Sequence, residues 1–177
     1  MDETNEKDKQ SDKIDCGTAK HASRRLANSS GTLDSKELGD LGELAFVLAA
    51  SAKGLAVAKP FGDCRRYDLI VDSGRRLLRI QVKSLYRNVV RGDYQVRCRS
   101  RCKLNNGCYT SHEIDFMALY LARRDIWYLI PIAALGTLTV VHLHPDGLLI
   151  NRTGCAKFEI YKEAWHQLDE RAEKRRG

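Results

Sequence analysis

Gln81 and Lys83 stand two residues apart in the stretch Arg76 to Ser84, where Leu78, Ile80 and Val82 alternate with Arg79, Gln81 and Lys83. Alternation with a period of two marks a strand with one apolar and one polar face, so the tips of Gln81 and Lys83 emerge side by side. Asp68 lies in a preceding strand, Tyr67 to Asp72, and the short Ser73, Gly74 connection folds that strand back against the next. A carboxylate, an amide and an ammonium can then converge, and Glu43 on an upstream helix can add a second carboxylate. Such a set suits phosphodiester hydrolysis. Carboxylates hold a hard divalent cation through oxygen, the cation polarises a phosphate and lowers the pKa of bound water, and a lysine orients that water or offsets developing charge. Two carboxylates and one amide make a modest Mg²⁺ site, which fits an ion that keeps several waters and accepts phosphate oxygens.

Those residues need a scaffold, and its elements can be read along the chain. Asp34 can cap a helix, with Glu37 three residues on completing a capping box. Leu38, Leu41, Ala45, Leu48 and Ala52 then recur at three- and four-residue steps, one apolar stripe that ends at Gly54, with Glu43 off the stripe. Leu55 to Lys59 reads as a short strand stopped by Pro60, with a turn over Phe61 to Asp63. Tyr94 to Lys103 alternates, with Arg97, Arg99, Arg101 and Lys103 on one side and Tyr94, Val96, Cys98, Ser100 and Cys102 on the other. Phe116 to Leu121 and Ile126 to Ile130 read as paired strands around Arg123 to Asp125, closed by Pro131. Thr137 to Leu143 is a further strand. Ile160 to Ala172 is expected to be a helix with Tyr161, Ala164, Trp165 and Leu168 on one face.

The chain of 177 residues is 43% hydrophobic, which suits one domain with its own core. No apolar run approaches the roughly 20 residues that span a membrane, and the N-terminus is polar, which predicts a soluble, cytoplasmic protein. Residues 1–31 are too poor in aromatic and β-branched residues to offset chain entropy and read as a disordered polar tail. Residues 1–30 hold six acidic and six basic side chains, so the whole net charge of +7 sits on the remainder and favours a polyanionic partner. Six cysteines spread over a chain with its own core call for no disulfide framework, and reduced thiols are the simpler reading.

The ordered run of Glu43, Pro60, Tyr67, Asp68 and the tripeptide Gln81, Val82, Lys83 resembles the signature of the PD-(D/E)XK endonuclease superfamily. It looks most like a branch of small bacterial proteins, including intron-encoded homing endonucleases, that carry Gln-Val-Lys at the tripeptide. Ile114, Asp115 and Phe116, the run Trp127 to Pro131, and Tyr161 to Trp165 match as well, so the resemblance spans about residues 33–168. It implies an α/β, restriction-endonuclease-like core with a mixed central β-sheet flanked by helices, occupying residues 32–170 before a basic tail over 171–177. It also implies an endonuclease that cuts double-stranded DNA with Mg²⁺, or Mn²⁺ as substitute, and a homo-oligomer, dimer or tetramer. Carried over, Asp68 is the principal metal ligand, the Val82 carbonyl a second, and Lys83 holds or activates the nucleophilic water. Glu43 binds metal directly or through water. Gln81 departs from the usual Glu or Asp, and its neutral amide oxygen is a weaker ligand. The alternative implied by that departure is a weak or inactive nuclease-like module that binds DNA.

Competing readings attach to the remaining motifs. Arg97, Arg99, Arg101 and Lys103 fit phosphate contacts and also an edge strand blunted by charge, and Arg87 and Arg91 fit phosphate contacts and also a solvated loop. Cys98, Cys102, Cys108 and His112 could in principle wrap Zn²⁺, but the spacing is unusual and two of the cysteines fall on the inward side of a strand, which favours small apolar residues. His142 and His144 share a strand face without a convincing third ligand and read as structural or surface histidines.

Overall fold

The computed structural model describes residues 33–62, 65–87, 93–99, 107–147 and 157–171. The chain forms two units, Met1–Leu33 and Asp34–Gly177, and the architecture below is that of the second. The polar tail expected over 1–31, the basic tail beyond Arg171, and Arg91, Arg101, Cys102 and Lys103 lie outside the described residues.

Helix α1, Ser35–Ala52, starts as its sequence dictates: Asp34 accepts from the backbone N–H groups of Lys36 and Glu37, and Glu37 accepts from the Asp34 backbone N–H. Its buried face is not the leucine stripe. Gly42, Phe46 and Ala50 face the core, whereas Leu48 is 68% exposed. Two contacts override the leucine count. Phe46 enters an aromatic cluster with Trp127 and Trp165, with ring centroids 5.4 and 5.5 Å away. Gly42 lies so close to the sheet that a Cβ there would meet Ser84 Oγ at 2.7 Å and Ser84 Cβ at 2.8 Å. The rotation also carries Glu43, beside Gly42, toward the sheet, leaving its side chain only 18% exposed. Replacing Gly42 with Val should therefore destabilise the fold by about 1–3 kcal/mol, as overpacking does, and displace Glu43. Urea unfolding checks this; Ser84→Gly in the Gly42→Ala background should recover part of the loss, and strict additivity of the two changes would refute the close-approach argument.

The central sheet has the order β1-β2-β3-β5-β6, built from Ala56–Ala58, Leu69–Asp72, Leu77–Leu85, Phe116–Leu121 and Ile126–Pro131. Pairing is antiparallel except between β3 and β5, so the sheet is mixed. The β2–β3 turn is held by buried Ser73, whose hydroxyl accepts from the Arg75 and Arg76 backbone N–H groups and donates to the Arg76 carbonyl, with Gly74 at φ +84°. The Phe116–Leu121 and Ile126–Pro131 hairpin forms as expected, with Asp125 at φ 52° in its turn.

One face of this sheet packs α1, Trp165 and Leu168 over Leu69, Val71, Leu78, Ile80, Val82, Ala118 and Leu129. The other face carries Met117, Leu119, Tyr128 and Ile130 and is covered by a second, two-stranded sheet of β4 (Tyr94–Arg97) and β7 (Val140–Leu143), together with the short helix α2, Ile132–Leu135. Sequence alternation is realised in β4 and the two residues after it, where Tyr94, Val96 and Cys98 are buried and Arg97 and Arg99 exposed. The strand expected over Thr137 to Leu143 begins only at Val140, because the chain turns at Gly136 with φ +60°.

The expected C-terminal helix is absent among the described residues; two 3-10 turns, Glu159–Tyr161 and Trp165–Leu168, take its place. Between them Glu163 adopts φ 51°, its N–H donates to the Trp127 carbonyl, and its carboxylate accepts from the Trp127 N–H and Trp165 Nε1. Docking on the edge of β6 thus outcompetes helix continuation. No helix among the described residues is long and apolar enough to cross a membrane.

Parallel pairing of β3 with β5 needs a crossover, and its end is fixed by charge. Arg79 grips Asp115 with Nε 3.0 Å from Oδ2 and Nη2 3.1 Å from Oδ1, while its guanidinium also donates to the carbonyls of Ser111 and His112. Asp115 is partly desolvated, which raises its pKa, but Arg79 more than offsets this and holds it below the ordinary value. Asp115→Ala should cost about 2 kcal/mol, since it leaves a forked, partly buried guanidinium without its carboxylate. Chemical denaturation at pH 7 checks this, and a loss below 0.5 kcal/mol, a surface-substitution value, would remove the clamp from the account.

Candidate active site

The site grows from the β2–β3 register. Leu69 pairs with Ile80, and the Asp68 N–H donates to the Ile80 carbonyl at 2.9 Å, so the pairing extends one residue before the start of β2. Asp68 therefore comes opposite Gln81, on the sheet face away from α1, with Lys83 two residues further on the same face. Asp68 Oδ2 accepts from the Val82 N–H at 2.8 Å and from Gln81 Nε2, and the same Nε2 donates to the Val82 carbonyl at 3.2 Å. Arg66 steadies the approach to Asp68: it reaches the Cys108 carbonyl and Glu113 and lies over the Tyr109 ring.

Burial of Asp68 raises its carboxyl to a pKa of about 6; the Glu43 charge pushes the same way, while the Val82 N–H, Lys83 and Lys59 hold it down. Glu43 and Lys83 are thus electrostatic neighbours of Asp68, and Gln81 and the Val82 backbone are its hydrogen-bonded partners. All four residues read from the sequence, Glu43, Asp68, Gln81 and Lys83, come together.

Lys59 was not among them. It follows β1, and its Nζ sits 2.8 Å from Glu43 Oε2. The only sequence signal was its place immediately before Pro60 at a strand end, which a solvated lysine shares.

The donors fit a hard cation. One amide group reaches both Asp68 Oδ2 and the Val82 carbonyl, so the two oxygens already converge on a common point. Rotating the Gln81 amide would present its oxygen there in place of the nitrogen. Glu43 Oε2 is buried, with the Lys59 ammonium against it. Among the described residues no cluster of three or more His, Cys, Asp or Glu is arranged to hold a metal ion, so the protein offers two carboxylates supplemented by a carbonyl and an amide, leaving positions for water and phosphate.

Other sequence motifs fall elsewhere. Arg87 is exposed beyond the end of β3. Arg97 and Arg99 leave β4 on the face opposite Cys98, whose thiol is near enough to Lys83 to feel its charge. Burial pushes the Cys98 thiol up to about 12, so it stays protonated and acts as a small apolar residue; Cys98 and Cys108 are free thiols. His142 has Asp93 as its partner, with Nδ1 3.0 Å from Oδ1, across the β4–β7 pair.

The family model described as PD-(D/E)XK endonuclease matches residues 33–164. Among solved structures, a bacterial homing endonuclease, I-Ssp6803I, is 28% identical, with a TM-score of 0.63 and coverage of 82% of this chain and 100% of that one. The Holliday junction resolvase Hjc of Archaeoglobus fulgidus, an archaeal hyperthermophile, is 18% identical, with a TM-score of 0.41 and coverage of 63% of this chain and 88% of that one. No curated protein matches.

Proposed function

The chain belongs to the PD-(D/E)XK endonuclease family, and from that premise we propose that it hydrolyses phosphodiester bonds of double-stranded DNA with Mg²⁺, or Mn²⁺ in its place. The observation that carries this reading is the convergence of Asp68, Gln81 and the Val82 carbonyl, with Lys83 and Glu43 within electrostatic reach.

Asp68, Glu43, the Val82 carbonyl and the Gln81 amide oxygen would hold the cation. When bound, it supplies positive charge at the scissile phosphate and lowers the pKa of ligated water. Asp68 must be ionised to serve, and the two positive charges beside it, Lys83 and Lys59, favour that form. Lys83, half-buried on a central strand, orients the attacking water and takes up or offsets charge as the water loses its proton. Before the cation enters, the Gln81 Nε2–H holds the Asp68 carboxylate in place. Arg87, Arg97 and Arg99 are assigned to DNA phosphates away from the scissile bond, where they would set affinity and salt dependence. One such site cuts one strand, so a double-strand break calls for two copies, and a homo-oligomer is part of the proposal. Free thiols and a DNA substrate suit the cytoplasm.

The direct test is digestion of a randomised DNA library by the full-length protein with Mg²⁺, followed by sequencing of the new ends. Discrete ends that vanish with chelator support the reading. Ends that form equally in EDTA would overturn it.

One observation favours a second reading. Gln81 brings no charge to the position where most of the superfamily has Glu or Asp, and here it donates to Asp68. A module that binds DNA without cutting predicts salt-sensitive binding and no turnover with Mg²⁺ or Mn²⁺.

A further inference from the structure

Lys59 has a place in the site beyond an ordinary surface ion pair. Its Nζ lies 2.8 Å from Glu43 Oε2, a buried carboxylate oxygen, so the ammonium is the charge partner of that oxygen. Asp68 is the second carboxylate here, and its charge and that of Glu43 oppose one another. The same ammonium serves both: Glu43 stabilises its charge most strongly, with further contributions from Asp40 and Asp68. The register supports this closeness. Ala58 pairs with Ile70 in the antiparallel β1–β2 ladder, so the chain after β1 runs back alongside the approach to Asp68.

The two lysines of the site differ in how firmly they are held. Lys83 is half-buried within β3, whereas the Lys59 side chain is 64% exposed at the end of a three-residue strand. A long exposed side chain can return its ammonium to water at little cost. A divalent cation arriving between Glu43 and Asp68 would repel that ammonium and compete with it for the same oxygen.

Resting on the metal-dependent reading above, we propose that Lys59 is a displaceable counterion: its ammonium neutralises Glu43 in the metal-free site and is exchanged for the divalent cation when the site loads. Metal affinity is then set partly by a competitor built into the chain. Removing the ammonium should loosen the empty site, where two carboxylates lose a shared cation, and tighten metal binding. A lysine with only a structural role would give the first effect without the second.

The experiment measures Mn²⁺ binding to the full-length protein without DNA, by electron paramagnetic resonance of free Mn²⁺, alongside melting curves in chelator. Lys59→Met should bind Mn²⁺ roughly tenfold more tightly than wild type, the factor one unit charge exerts on a divalent cation about 6 Å away in water, and should melt lower in chelator. Lys59→Arg, which keeps the charge, should stay near wild type. In a Glu43→Gln background the gain from Lys59→Met should fall to less than half, because the contested oxygen is no longer charged. Equal or weaker Mn²⁺ binding by Lys59→Met overturns the exchange. A gain undiminished by Glu43→Gln also overturns it, leaving only a diffuse field effect. If wild type binds no Mn²⁺ up to millimolar concentration, the metal-dependent reading itself falls and the exchange with it.

Discussion

Asp68→Asn is expected to lose about a thousandfold in DNA cleavage and yet to unfold at a higher temperature than the wild-type protein above pH 7. The first effect follows from removing the carboxylate on which the Gln81 amide and the Val82 backbone converge. The second follows from its protonation. Asp68 has a pKa of about 6 in the folded protein against an ordinary 3.8, chiefly because it is desolvated. Between roughly pH 4 and pH 6 the folded state therefore binds more protons than the unfolded state, and stability falls as pH rises. Above pH 6 that cost is complete, about 2–3 kcal/mol for a shift of this size. An asparagine of the same shape escapes it, and for a domain of this length the gain is a rise of about 5 °C or more in melting temperature. Mg²⁺ or Ca²⁺ should raise the melting temperature of wild type far more than that of Asp68→Asn. Melting scans at pH 5 and pH 8 check the sign: the advantage at pH 5 should be about half that at pH 8. A variant no more stable than wild type at pH 8 would mean that the Asp68 carboxylate is well solvated or already neutralised.

Lys83→Ala is expected to lower the cleavage rate by about a hundredfold to ten-thousandfold while leaving DNA binding in Ca²⁺ nearly unchanged. Lys83 lies on the Gln81 side of β3, its charge reaches both Asp68 and Cys98, and Ala keeps the strand. A group that acts on a proton at the reacting water should show its loss in turnover rather than in substrate affinity. Single-turnover cleavage beside filter binding separates the two. A large loss of binding with an unchanged rate would make Lys83 a phosphate contact instead.

The part of the site legible in the sequence was the part built by local rules. Period-two alternation placed Gln81 and Lys83 on one face, and a short turn led by Ser73 and Gly74 left almost no freedom in how Asp68 meets them. Helix α1 announced its start through Asp34 and Glu37, but its orientation was misread because the close approach of Gly42 and the aromatic partners of Phe46 lie far away in the chain. A leucine pattern cannot carry that information, and Leu44 and Leu48 stay exposed. Lys59 was illegible for the same reason, since its meaning comes from the β1–β2 pairing and from Glu43 on another element. The C-terminal segment carried a helical spacing of apolar residues, yet tertiary hydrogen bonds through Glu163 to Trp127 and Trp165 decided its conformation. The pairing of β4 with β7 joins strands that no local signal connects.

The most direct test of the central claim is conversion of supercoiled plasmid by wild type, Asp68→Ala and Lys83→Ala purified in parallel, each with Mg²⁺, with Mn²⁺ and with EDTA. The site described here predicts nicked or linear DNA from wild type with either cation, none in EDTA, and residual activity below about 1% in both variants. Cleavage by both variants at the wild-type rate would contradict it, because the nuclease activity would then reside outside the Asp68 and Lys83 site.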